Sequence, residues 1–119
     1  MTVDTLYKDL RKIQLMEEKT KLLTKINRGF YSDISALQWE TVEIPNEEVQ
    51  NFKMIATQIY LLREKKIILA ALSKIRGGKP DLKNILDEEK NLFDSALDML
   101  MKSRKSSIID IKKSLAKKP

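Results

Sequence analysis

Apolar residues recur at helical intervals through most of this chain, and the intervals divide it into four stretches. Leu6, Leu10 and Ile13, with Tyr7 beside them, predict a first helix from Val3 to about Met16, with Lys8, Asp9, Arg11 and Lys12 on its wet side. The polar run EEKTK, residues 17–21, is expected to loosen the chain, and Leu22, Leu23 and Ile26 to anchor a loop to the core. Asn27-Arg28-Gly29 marks a turn. Phe30, Ile34 and Leu37, flanked by Tyr31 and Trp39, predict a second helix to about Thr41. Val42 to Ile44 reads as extended, because Pro45 disfavours helical geometry at the residue before it.

The third stretch is the longest. Either Pro45 sits in the first turn of a helix or Asn46 caps it, and Glu47 and Glu48 suit the positive end of the helix dipole. No breaker follows until Gly77-Gly78, a glycine pair suited to a left-handed C-cap, with Pro80 barring continuation. About 30 residues at 1.5 Å each span roughly 45 Å. A compact globule of this chain length is roughly 35 Å across, so the helix is expected to outrun its own domain. Within it, the segment YLLREKKIILAALSKIRGG, residues 60–78, places a charged block, Arg63 to Lys66, before six consecutive apolar residues, Ile67 to Leu72. The charged block is expected to keep at least one side wet or ion-paired.

Beyond Pro80, Leu82, Ile85 and Leu86 form a short apolar plug, and Asp87-Glu88-Glu89 opens a fourth helix with acids at its start. Leu92, Phe93, Ala96, Leu97, Leu100 and Met101 make its apolar stripe; Lys90, Asp94, Asp98 and Lys102 stand at i,i+4 spacing on the other side. The helix either continues through Ile108, Ile109, Ile111 and Leu115 or breaks near Ser106-Ser107. The fold class expected is all-α: a bundle of about four helices around one long central helix, with residues 1–105 as the helical domain and 106–119 as a basic tail or linker.

Composition narrows the chemistry. The 119 residues hold no Cys and no His, which removes disulfides, thiolate chemistry, the commonest general base and the commonest metal ligand. No run approaches the roughly 18 apolar residues of a membrane span. The N-terminus lacks the apolar core of a signal peptide, so a cytosolic protein is expected, with no membrane partner. The net charge is +6. From Lys102 onward seven basic residues stand against one acid, Asp110, and the remainder is balanced at 16 against 16. The excess is therefore a property of the C-terminal end. There Lys112, Lys113, Lys117 and Lys118 are candidates for weak, nonspecific DNA contact, or equally a solvated linker.

Candidate catalytic and metal-binding groups all have simpler readings. Asp94 and Asp98 share a face, but Lys90 and Lys102 bracket them, which makes them solvated ion pairs. The serines have no His partner, and no motif supports a Ser–Lys pair. Arg76-Gly77-Gly78-Lys79-Pro80 lacks the spacing of a phosphate loop and reads as a helix end. No catalytic, cofactor or metal residue is assigned, and no enzyme activity is expected. The apolar run covers more than half the helix circumference and requires cover on several sides. The long helix is therefore expected to pack on a second subunit through Phe52, Ile55, Ile59, Leu62, Ile67, Ala70, Ala71 and Leu72, with close helix approach at Ala70 and Ala71. The rival function is a basic helical nucleic-acid-binding protein.

The order of these features resembles an archaeal GINS subunit of the type whose helical A domain comes first. LYKDLRK (residues 6–12) followed by KLLTKINRGFYSDI (21–34) is similar to that family's loop into a Phe-Tyr helix start. YLLREKKIILAALSKIR (60–76) is similar to its central helix. NILDEEKNLFDSALDML (84–100) is similar to the opening of its last helix, with Asp87 where Pro is often seen. The resemblance covers most of residues 4–101. It implies a non-enzymatic DNA replication factor acting at the replication fork, in the cytoplasm or nucleoid. Such a factor is a subunit of a homotetramer, or of a tetramer of two subunit types, that joins the MCM helicase to a RecJ-like partner and needs no cofactor. It also implies a small β-rich B domain after the helices. The chain instead ends at AKKP, where the interdomain linker is expected, as in a trimmed form or a natural single-domain one.

Overall fold

The computed structural model describes residues 3–36 and 46–107. Among them the chain is all-α: α1 covers Val3–Lys19, α2 Phe30–Ala36, α3 Asn46–Ile75 and α4 Asp87–Ser107. Leu37 to Pro45, with the expected end of the second helix and the extended Val42 to Ile44, lie outside the described residues. So do Ile108 to Pro119, including the four tail lysines.

The buried residues of α3 explain why it lacks a single apolar stripe. From Ile55 they are Ile59, Arg63, Ile67 and Ala71, each four positions after the last. Four residues turn an α-helix by about 400°, so such a row shifts by about 40° at every step. Between Ile55 and Ala71 the buried line swings about 160° round the helix. No one straight neighbour can cover it. Two do so in succession: α1 covers the first half of α3, and α4 covers the second.

Both neighbours run parallel to α3. On α1, Tyr7 meets Phe52 edge-on at 5.4 Å, Gln14 donates to Gln58, and Glu17 pairs with Arg63. On α4, Glu89 pairs with Arg63, and Phe93 packs in one cluster with Ile67 and Ala71. Parallel neighbours need return paths, and the chain supplies them as the 20–29 loop with α2 and as the 76–86 loop. The core divides accordingly. One cluster joins Leu10, Phe30, Phe52, Ile55, Ile59 and Leu86; the other joins Leu23, Ile67, Ala71 and Phe93. Arg63 stands between them.

The end of α3 follows the expected chemistry. Gly78 N–H donates to Ser73 O at 2.8 Å and Gly77 N–H to Lys74 O at 3.1 Å, the paired bonds of a Schellman cap. The two glycines serve different needs. Gly77 takes φ +94°, which a side chain resists. At Gly78 a Cβ would come within 2.3 Å of Ser73 Oγ and 3.0 Å of Ser73 O.

Two expectations need correction. The EEKTK run does not loosen the chain at its start, because α1 continues to Lys19 and Glu17 is buried. Its carboxylate finds cationic and N–H partners inside, so helix and burial cost less than the polar sequence implies. Of the three loop anchors, Leu23 is buried and Ile26 packs against the first cluster, but Leu22 is 53% exposed.

Candidate functional site

Arg63 is fully enclosed, and each of its five N–H donors has an acceptor. Nε and Nη2 fork onto Glu89, at 2.7 Å to Oε2 and 2.8 Å to Oε1. Nη2 also donates to Asn84 O at 3.0 Å. Nη1 reaches Glu17 Oε1 at 2.5 Å and Thr24 O at 2.7 Å. The acceptors are the end of α1, the start of α4 and one carbonyl from each return loop. Helix ends and loops carry backbone groups that no regular ladder satisfies, and burying them unpaired is costly. Arginine is the one side chain with enough fixed donors to meet them all.

The surrounding groups complete the arrangement. Glu17 also accepts from Lys66 Nζ, which donates in addition to Leu22 O at 2.8 Å, and from Thr24 N–H at 3.3 Å. Glu89 accepts from Tyr31 Oη at 2.7 Å and from Leu86 N–H at 2.9 Å. The Leu86 bond is the reach-back half of a capping box, so one carboxylate both caps α4 and holds Arg63. Asn84 Nδ2 ties the second return loop to the first by donating to Leu23 O at 2.9 Å. Two carboxylates face two cations, so the centre is neutral. All four helices send a side chain to it.

Protonation states follow from the same contacts. Burial alone would raise the Glu89 pKa, but Arg63, the Leu86 N–H and the Tyr31 hydroxyl outweigh it and hold the carboxyl below its ordinary value. Burial, then donation to Glu89, raises the Tyr31 phenol above its ordinary value. Burial would lower the Arg63 pKa, but Glu89 and Glu17 reverse that, and its charge is permanent. With its donors spent, Arg63 joins the ends of α1 and α4 to both return loops, and Glu17 and Lys66 at the edge of the centre also line an open groove. Thr24 Oγ1 is the buried side-chain polar atom beside it with no partner among the described residues.

The opposite side of α3 differs. Met54, Gln58, Leu61, Lys65 and Leu69 fall within an arc of about 80°, centred roughly opposite Arg63. Met54, Leu61 and Leu69 are 54%, 51% and 52% exposed. Two adjoining open grooves, about 660 Å³ and about 380 Å³, flank this row on its α1 side and share Glu18, Leu62 and Lys65.

Of the eight residues expected at a subunit interface, Phe52, Ile55, Ile59, Ile67 and Ala71 are buried in the chain's own core. Leu62, Ala70 and Leu72 are half-buried. Periodicity marked the apolar face of α3, but the chain's other helices occupy it. The row on the other side is the more exposed one. Lys112, Lys113, Lys117 and Lys118 lie outside the described residues. Asp98 and Lys102 form the expected exposed pair at 2.9 Å. Among the described residues no three metal-ligating side chains stand together, and no helix is long and apolar enough to cross a membrane.

The buried centre was not anticipated as a site. Its signal was present: Arg63 occupies one position of the i+4 row that runs from Ile55 to Ala71. Comparison of the chain with family models, curated proteins and solved structures gives no match.

Proposed function

We propose that this chain is a non-enzymatic helical subunit of a GINS-type replication assembly, and that it docks through the outer face of α3. One observation carries the docking surface: α3 keeps a second apolar row, Met54, Leu61 and Leu69, after α1, α2 and α4 have covered the first. Three half-exposed large apolar residues in one line on one helix fit a helix-to-helix contact better than solvent. The saturated Arg63 centre supports a scaffold role, since its polar groups are spent on holding four helices together. The sequence resemblance supplies the assembly class. Its partners are then further GINS-type subunits, the MCM helicase and a RecJ-like replication protein, with the fork as the place of action.

The test is affinity purification of the tagged chain from its native cells, with the bound proteins identified by mass spectrometry. The expected result is recovery of MCM and a RecJ-like protein, lost in a Leu61→Asp/Leu69→Asp variant that keeps its helical circular dichroism. Recovery of neither from the folded chain overturns the proposal. Salt-sensitive DNA binding in their absence, abolished by removing residues 102–119, establishes the nucleic-acid-binding alternative instead.

A further inference from the structure

Between Met54 and Leu69 the outer row of α3 reads alike in both directions; the next pair outward, Asn51 and Leu72, does not. Along the chain it runs Met54, Gln58, Leu61, Leu62, Lys65, Leu69, at intervals of four, three, one, three and four residues. The order is apolar, polar, apolar, apolar, polar, apolar. Its midpoint lies between Leu61 and Leu62, one residue from the midpoint of the whole helix, Asn46–Ile75. Such a face matches a second copy of itself laid antiparallel about a two-fold axis, where residue i meets residue j and j meets i.

We infer that α3 pairs antiparallel with α3 of a second copy of this chain, with Met54 opposite the partner's Leu69 and Leu61 opposite the partner's Leu62. The inference rests on reading the outer face as the assembly surface, and adds the occupant and the register. In this register Met54, Leu61, Leu62 and Leu69 each meet an apolar residue, while Leu72 meets the partner's Asn51. Gln58 meets the partner's Lys65. The Gln58 carbonyl, which accepts from Gln14 within its own chain, has a second lone pair for that ammonium.

Charge also selects the direction. The first turn of α3 carries Glu47 and Glu48, its last turn carries Lys74, and Arg76 follows. The antiparallel register places Glu47 opposite the partner's Arg76. A parallel pair in register would set Lys65 against Lys65 and Glu47 against Glu47, and juxtaposed like charges are costly at an interface.

The chain has no cysteine, so introduced cysteines report on the contact without background. Full-length Met54→Cys and Leu69→Cys variants are oxidised at micromolar concentration, separately and mixed. A disulfide needs Cα atoms within about 4.4–6.8 Å. The expected result is a crosslinked dimer in the mixture and little in either variant alone. Crosslinking of Met54→Cys with itself, or no crosslink in the mixture, overturns the inference. Sedimentation of the unmodified chain is expected to give twice the 13.8 kDa monomer mass, and Leu61→Asp to return it to one. An unmodified chain that sediments as a monomer also overturns it. If that monomer still recovers replication partners in a Leu61-dependent manner, the assembly reading stands and self-pairing alone falls. The crosslinking arm does not depend on whether Leu61→Asp folds.

Discussion

Leu61 and Arg63 stand two residues apart on one helix, and each occupies the place that its chemistry would assign to the other. Leu61 is half-exposed; Arg63 is fully enclosed. Hydropathy alone would bury the leucine and solvate the arginine. The difference lies in what each side of α3 faces. On the Arg63 side, α1 ends, α4 begins and two return loops pass, so carboxylates and unladdered carbonyls converge. On the Leu61 side α1 reaches the edge of the row, where Gln14 donates to Gln58, and Leu61 itself is left half-exposed. An interior position is polar when the chain brings polar groups to it, and an apolar residue stands at the surface where the chain's own helices leave it uncovered.

The largest break in this comparison comes from Arg63→Met. The apolar side chain leaves Glu17 and Glu89 buried without their main partner and two loop carbonyls without donors. The expected loss is about 3–5 kcal/mol, measured by urea denaturation. Replacing Glu17 and Glu89 by Met as well is not expected to restore stability, because Thr24 O and Asn84 O still lack donors. A triple variant as stable as the parent would show that the centre needs only charge balance.

Acid attacks the same side of the helix. Glu89 has its pKa lowered in the fold, so its contribution is fully present above its unfolded value, near 4.5, and is lost as pH falls through the folded value. Tyr31 has its pKa raised, so its contribution is present below the unfolded value of 10.0 and is lost as pH rises further. Thermal unfolding across pH is expected to show a plateau between these limits and decline outside them. A midpoint already falling between pH 7 and pH 5 would contradict this assignment.

Tyr31→Phe sharpens the comparison more gently. It removes one hydrogen bond to the Glu89 carboxylate while keeping the ring against Phe30 and Tyr60. A loss of about 1–2 kcal/mol is expected by denaturant titration. The smallest effect on folding is expected at Leu61→Asp, within about 0.5 kcal/mol in the separated chain. A loss comparable to that of Arg63→Met would mean that Leu61 belongs to the core.

Much of the secondary structure was legible in the sequence, and the centre was not. The limits of α3 followed from Asn46 with its acids at one end and Gly77-Gly78 at the other, because caps act through neighbours in the chain. The start of α4 followed from Asp87-Glu88-Glu89 for the same reason. Glu17, Arg63 and Glu89, however, each sit in a charged run, EEKTK, REKK or DEEK. Nothing local separates the buried member of such a run from its exposed neighbours. Of the eight residues expected at a subunit contact, Phe52, Ile55, Ile59, Ile67 and Ala71 are instead buried within the chain, for a related reason. Periodicity marks a face as apolar but does not say whether the chain's own helices or another protein will cover it.

The sequence by itself determined the helical class, the long α3 and the chemistry that ends it, since these depend on spacing and on residues within a turn of one another. It also carried the i+4 row with Arg63 inside it. Only the tertiary structure decided which way that row winds against α1 and α4, which carboxylate meets the guanidinium, and which side of α3 stays open. Those outcomes depend on where two return loops bring residues 21 to 61 positions apart into hydrogen-bonding range. Separations of that length are closed by packing, and no local pattern records them.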